Sequence, residues 1–538
     1  MKKFSHRAAP CRAFVFGIIA GWAGASHASG QTQITTSQYN NARTGAYLSE
    51  TRLTPGNVNP RNFGRLFALK VDGDVYAQPL YLTGLQVPGR GKHDVVFIAT
   101  EHDSVYAFDA TEKASPLWQI NFTDVARGIT AVPARETHCP FINPEVGITS
   151  TPVIDSKRGV LFVLARTKEQ TSGTGAQYVQ RLHALDVTTG KEVPGSPVMI
   201  KASVAAEKRA DKQQEISFDP LVEQPRAALL LVNGTVYLSW GSSCDAGDYH
   251  GWVMAYDAQT LRQKAVFNTS PNAKESGVWQ GDTGPAADDN GNVFVVTGNG
   301  EFDPENGHDY GDTILKLALG EGNLIVRDYF TPHDQETLNK KDQDLGSGGP
   351  VLLPDQNGGH THLAVVGGKD GSLYVIDRDR MGQYHPATDD VVQTVKLKGG
   401  LFGAPAYWNQ HLYVFPDGDV LQQLTVRNGT LALAHSGSMA PVDPGPIPTV
   451  SANADRDGIV WTISTRSWEV IPESLAVLHA YDATDVSREL YSSEENSDRD
   501  RAGISVRFTI PLVVAGRVYV GARNEVDVYG LLHSATRH

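Results

Sequence analysis

Cysteine is almost absent from this chain, three residues in 538, which excludes a disulfide-dense scaffold and the paired-cysteine spacings of structural zinc sites. There is no C-x-x-C-H string, so no covalently held c-type haem is expected. A P-loop, a G-x-S-x-G elbow and an H-E-x-x-H helix are missing too, and with them the commonest routes to phosphoryl, acyl and zinc-peptidase chemistry. No apolar run reaches 18 residues, so no membrane-spanning helix is expected. Cationic residues are outnumbered 47 to 60, for a net charge of −13. A field of that sign repels phosphate backbones and acidic lipid, so no nucleic-acid partner is expected.

The first residues are of another kind. Lys2, Lys3, Arg7 and Arg12 precede the apolar run at 13–25, and Ser26-His27-Ala28 places small residues before a cleavage point. This reads as a signal peptide over 1–28, and the mature chain is expected in the periplasm or secreted. Cys11 leaves with it, and Cys139 and Cys244 remain for an oxidising compartment.

Gly 53 and Pro 29 signal many turns. A short apolar strand, a turn, and a β-branched or aromatic strand ending on Asp recur as DVVFIATEHDSVYAFDA at 94–110, GTVYLSWGS with GWVMAYDAQT at 234–260, and HLAVVGGKDGSLYVIDRDRMG at 362–382. Eight such units occur at spacings of about 40 to 65 residues with period-two alternation. The expected fold class is all-β: a single eight-bladed β-propeller with four-stranded blades over 65–532, after an extension at 29–64 and before a tail at 533–538. The eighth unit ends with about three strands, so the N-terminal strand beginning Arg65-Leu66-Phe67 is expected to complete it and close the ring. Inserts at 121–146, 201–225, 303–312 and 330–345 would be loops on the faces. Cys139 and Cys244 fall in loops of neighbouring blades and are expected to form a disulfide.

Several separated strings, in order, carry a resemblance. YNNARTGAYLSETRLTPGNVNPRNFGRLFAL at 39–69, VTGNGEFDP at 296–304, TPHD at 331–334, DLGSGGPVLLP at 344–354 and GGKDGSLYVIDRDRMG at 367–382 look like the quinoprotein alcohol dehydrogenases. Those are eight-bladed propellers that hold pyrroloquinoline quinone and calcium on the axis. The resemblance implies that Trp279 is the floor on which the quinone stacks, that Asn299 is a calcium ligand, and that Lys369 bonds the quinone's carbonyl oxygen. Each has a plainer alternative: a blade-packing indole, an Asn-Gly turn and a solvated turn lysine. Arg226, at the start of an apolar strand, would meet an anionic ligand or else form a structural ion pair.

The departures from the family pattern fall on its acids and cysteines. Ala246 stands at the family's glutamate ligand, leaving Asp245 and Asp248 as the neighbouring carboxylates. The adjacent cysteine pair is replaced by His138-Cys139. The aspartate base does not follow TPHD directly; Asp344, after Asp334 and Asp342, keeps the right distance to the next strand, and its alternative role is to cap the glycine-rich turn. It would also be a metal ligand. His360-x-His362 and the pair His250 with His308 are expected to be surface or chance pairs. Two readings remain open. One is an exported dehydrogenase oxidising an alcohol with pyrroloquinoline quinone and calcium and passing electrons to a separate acceptor. The other is a non-catalytic propeller that binds a glycan, a surface polymer or a protein.

Overall fold

The computed structural model describes Met1 and residues 32–171, 175–206, 214–281, 283–303, 309–438, 444–465 and 474–532. The expected signal peptide, His308 and the expected tail lie outside the described residues. From residue 32 onward the chain is almost entirely strand and turn, with only two short helices among the described residues, Gln335–Lys340 and Ser497–Asp500.

Strands pair antiparallel with their sequence neighbours, and the ladders fall into eight groups in chain order. Their first strands are Leu80–Val87, Val153–Asp155, Leu230–Val232, Ala286–Ala287, Val351–Leu352, Ala406–Trp408, Thr449–Asn453 and Leu512–Val514, which open blades 1 to 8. The local cause is sequence. In seven of the eight, a proline immediately precedes the first strand (Pro79, Pro152, Pro285, Pro350, Pro405, Pro448, Pro511), and in blade 3 Leu229 takes that place. Proline fixes φ and donates no hydrogen bond, so it suits the position where a ladder begins.

The core is divided in the same way. Eight apolar clusters each join one blade to the next. Phe162, Trp240 and Trp252 fill the boundary between blades 2 and 3, and Val351, Leu373, Leu412 and Val426 that between 5 and 6. The boundary between blades 8 and 1 has its own cluster, with Val96 and Ile98 against Leu512, Val514 and Tyr519, so the ring is closed.

Covalent order and spatial order part at that closure. The strand Phe63–Asp74 pairs antiparallel with Arg517–Leu531, Phe63 opposite Leu531 and Leu69 opposite Val526. The first part of Arg517–Leu531 pairs with Leu512–Val514, and Asn524, at φ 61°, sits at the turn between its two halves. Gly530 lies against the Gly516 carbonyl, so Arg517–Leu531 folds back on itself, and blade 8 has the four strands expected, with Phe63–Asp74 as the outermost, closing the ring. Blades 3 and 4 are joined further, by parallel pairing of Ala265 and Val266 with Gly322 and Asn323. The insert before blade 2 forms a small hairpin, Ile129–Pro133 with Glu145–Val146. It packs as Val132, Ile142 and Val146 on Tyr76 and Val506.

Candidate active site

A cavity of about 380 Å³ is built from turns that precede first strands and from the insert. Counting back three residues from the position before the first strands of blades 3, 5, 6 and 8 gives Arg226, Ser347, Phe402 and Phe508, which line it, whereas the same count in blades 1, 2 and 7 gives Tyr76, Thr149 and Gly445, which do not. Equivalent turns of a propeller converge on its axis, so residues far apart in sequence share one wall. Phe402, Phe508 and Ser347 escaped sequence reasoning, and the signal that finds them is this fixed offset from the prolines.

Trp279 lines the cavity. Its segment is anchored by Val278 N–H to the Trp240 carbonyl at 3.0 Å and by Gly298 N–H to the Gly277 carbonyl at 2.9 Å. A Cβ at Gly241 or Gly277 would come within 3.1 to 3.2 Å of the indole, so glycine at both positions is what lets the ring lie flat against the backbone. Tyr249 packs its ring edge on the indole, centroids 5.8 Å apart. The indole N–H is buried and has no acceptor among the described residues.

Lys369 and Asp344 meet directly in the cavity wall. Lys369 Nζ forms an ion pair with Asp344 Oδ2 and a second, at 3.2 Å, with Asp342. The Lys369 backbone N–H also donates to the Asp344 carbonyl at 2.9 Å. Burial works against the lysine's charge, but the two carboxylates outweigh it and hold its pKa above the ordinary lysine value. Asp344 is 3% exposed and does not cap its own turn. Its Oδ1 instead accepts the Asn299 backbone N–H at 2.7 Å. Asn299 donates its amide to Asp342 at 2.6 Å, which leaves Asn299 Oδ1 buried with no donor among the described residues. That amide oxygen points to a missing cation or donor.

The remaining acids divide between the cavity and the surface. Asp245 lines the cavity and accepts the Tyr249 hydroxyl at 2.7 Å. Burial raises its pKa against that hydrogen bond, with the charge of Asp344 adding to the rise. Behind Asp344, burial and then Asp344's charge hold Asp312 well above the carboxylate range. Asp248 does not join them: it is 67% exposed and pairs with Lys274 at 2.5 Å. Arg226 lies over the Phe508 ring, 5.0 Å from its centroid, and Phe508 stacks on Phe402 at 6.3 Å. The Cys139–Cys244 disulfide, Cα atoms 5.4 Å apart, also lines the cavity and ties the insert to blade 3. The histidines lie elsewhere. His360 and His362 bond Asp377 and Asp379 at 2.7 Å on the exposed side of blade 5, and His250 is buried against Ser270.

No family model matches the chain, and neither does any curated protein sequence. Solved structures do match. A quinohemoprotein alcohol dehydrogenase of Pseudomonas putida HK5 superposes with a TM-score of 0.61 at 15% identity, over 94% of this chain and 81% of that one. The quinohemoprotein alcohol dehydrogenase of Comamonas testosteroni gives 0.60 at 15% identity, with the same two coverages. The fold is the propeller of these quinohemoprotein alcohol dehydrogenases. Against that propeller, the present chain brings Trp279, Lys369, Asp344, Arg226, Asp245 and both cysteines to one cavity. Asn299 is bonded to Asp344 and Asp342 at its edge, and only Asp248 stands apart.

Proposed function

We propose that this chain is an exported quinoprotein dehydrogenase that oxidises an alcohol with pyrroloquinoline quinone and calcium. One observation carries the reading: an indole, two cations and a buried carboxylate, drawn from blades 3 to 5, converge on a single cavity. The chemistry of the site fits both groups. A planar anionic quinone finds an aromatic face in Trp279 and cationic N–H donors in Arg226 and Lys369. A hard cation finds oxygen donors in the orphaned Asn299 Oδ1 and the carboxylates of Asp344 and Asp245. Among the described residues no three His, Cys, Asp or Glu side chains form a metal-holding group by themselves, and the proposed set adds the amide oxygen as its third donor.

When bound, the quinone would supply the hydride acceptor and calcium a Lewis acid beside it. The protein's part is to bind and to move a proton. Asp344 accepts the proton of the substrate hydroxyl, a role that requires a carboxylate within about 3 Å of that oxygen. Its position is fixed from two sides, by the Asn299 N–H and by Lys369. Lys369 stays protonated beside it, offering its charge to oxygen atoms on which negative charge develops. Arg226, held over Phe508, meets the ligand's carboxylate. With no haem-attachment string in the chain, electrons leave through a separate acceptor. The leader-like residues 1–28 support export.

The test is reconstitution. The purified protein is incubated with pyrroloquinoline quinone and calcium, freed of excess by gel filtration, and read by absorption. About one chromophore per chain is expected. If none is retained the dehydrogenase reading falls, and a propeller that binds a glycan, polymer or protein takes its place.

A further inference from the structure

Residues 32–50 touch the same position in all eight blades. Taking the second residue of each run that begins after the proline (or after Leu229), the contacts run round the ring. Ile34 pairs with Tyr81 of blade 1. The carbonyl of Thr35 accepts the N–H of Ile154 in blade 2 at 2.8 Å. Asn41 donates its side-chain amide to the Leu231 carbonyl of blade 3 at 2.9 Å and accepts the Ala287 N–H of blade 4 at 2.7 Å. Ala42, Thr44 and Gly45 accept Leu352, Tyr407 and Val450 of blades 5, 6 and 7 at 2.9, 2.7 and 2.8 Å. The Tyr39 hydroxyl accepts the Val513 N–H of blade 8 at 2.9 Å, and Glu50 accepts Gly516 N–H of the same blade at 2.8 Å.

Arg43 is the segment's anchor. It is fully buried and donates to the Pro285 and Leu229 carbonyls, to its own Ser37 carbonyl and to Thr36 Oγ1. No carboxylate pairs with it among the described residues, so its charge is held by the dipoles of three carbonyls and a hydroxyl. That arrangement is worth its desolvation only where those carbonyls are fixed in place. The segment contacts lie five residues beyond Arg226, Ser347, Phe402 and Phe508 on the same runs, at Leu231, Leu352, Tyr407 and Val513. At about 3.3 Å per residue, the segment sits up to roughly 16 Å below the cavity along the strands.

We propose that the ring of first strands forms a peptide-docking site on the propeller axis, that residues 32–50 of this chain occupy it in cis, and that this hub couples all eight blades into one cooperative unit. In five blades the ring donates an N–H to a carbonyl of the segment, and the occupant these donors require is a segment that turns its carbonyl oxygens outward round the axis, as this one does through the left-handed residues Gln38, Tyr39, Arg43 and Gly45. Because its partners extend to Gly516, the segment completes its contacts only when the last blade is present. The walls of the cavity are then set by a piece of chain that touches none of its ligands.

Two measurements on the full-length protein test this. Hydrogen exchange of Arg43→Ala should speed up at Ile154, Ala287, Leu352, Tyr407 and Val450 together, by about tenfold or more, since these amides belong to five different blades. Faster exchange confined to the surroundings of Leu229 and Pro285, with Tyr407 and Val450 still protected, would overturn the hub. In the second, a protease site is placed in the exposed turn at Gly56 and the folded wild-type background is cleaved there. The freed segment should co-elute with the ring on gel filtration and leave only on unfolding. Departure of the segment from a ring that keeps its folded circular-dichroism spectrum and melting temperature would overturn the proposal, whether or not the Arg43 variant folds. Neither readout involves a quinone, so its failure is separate from failure of the dehydrogenase reading.

Discussion

Blades 3 to 5 give the cavity every charged side chain that lines it, Arg226, Asp245, Asp342, Asp344 and Lys369, whereas blades 6 and 8 and the insert give it Phe402, Phe508, Phe141, Ile142 and Val146. The charged wall is also where more of the lining residues take left-handed backbone, at Cys244, Asp245 and Asp342, with φ between 52° and 54°. On the apolar wall Phe508 alone among these lining residues does so, at 60°. The difference follows from the forces involved. Apolar burial has no direction, so any side chain of suitable volume serves. Charges and hydrogen bonds must be aimed, and aiming several of them at one point bends the backbone that carries them.

The disulfide joins the two walls, Cys139 on the insert and Cys244 on blade 3, and removing it gives the largest expected effect. Its cysteines are 105 residues apart, for which chain entropy predicts a loss of about 4 to 5 kcal/mol in the Cys139→Ser, Cys244→Ser variant. Denaturant unfolding reads this directly; a loss below about 1 kcal/mol would show that the walls hold together without the staple. Asp344→Asn comes next. It keeps size and polarity while removing the base, so turnover of the reconstituted enzyme should fall about 100-fold or more with folding intact. Undiminished turnover would strip the charged wall of its chemical role.

A subtler effect belongs to Asp245. Burial and the charge of Asp344 raise its pKa, so protons compete with calcium for it at higher pH than for an ordinary aspartate. Calcium affinity measured by calorimetry should fall on acidification through that raised pKa, by up to about tenfold per pH unit. Without calcium the sign reverses: a carboxyl whose folded pKa lies above its unfolded one makes the fold more stable as pH drops through the same window. Calcium affinity independent of pH between 4 and 7 would remove Asp245 from the ligand set. The smallest effect is expected from the apolar wall, where Phe508→Ala should raise KM by less than about tenfold and leave kcat unchanged, as lost uniform binding does. A kcat that falls as far as in Asp344→Asn would erase the distinction between the walls.

The sequence alone determined the class of fold, since period-two alternation and repeated Gly, Asn and Asp turns are local properties that strands must satisfy wherever they lie. It also marked Trp279, Asn299, Lys369 and Asp344, through a resemblance carried by strings near each one. Three things only the tertiary structure decided. Phe402, Phe508 and Ser347 belong to the cavity because equivalent turns meet on an axis, and sequence distance says nothing about that meeting. Asp245 and Asp248 are both aspartates three residues apart, but one turn aims the first into the cavity against the Tyr249 hydroxyl and leaves the second with Lys274 in solvent. Residues 32–50 read as an extension because their partners lie on eight blades, from Tyr81 to Gly516. A pattern of partners that distant exists only once the ring has closed.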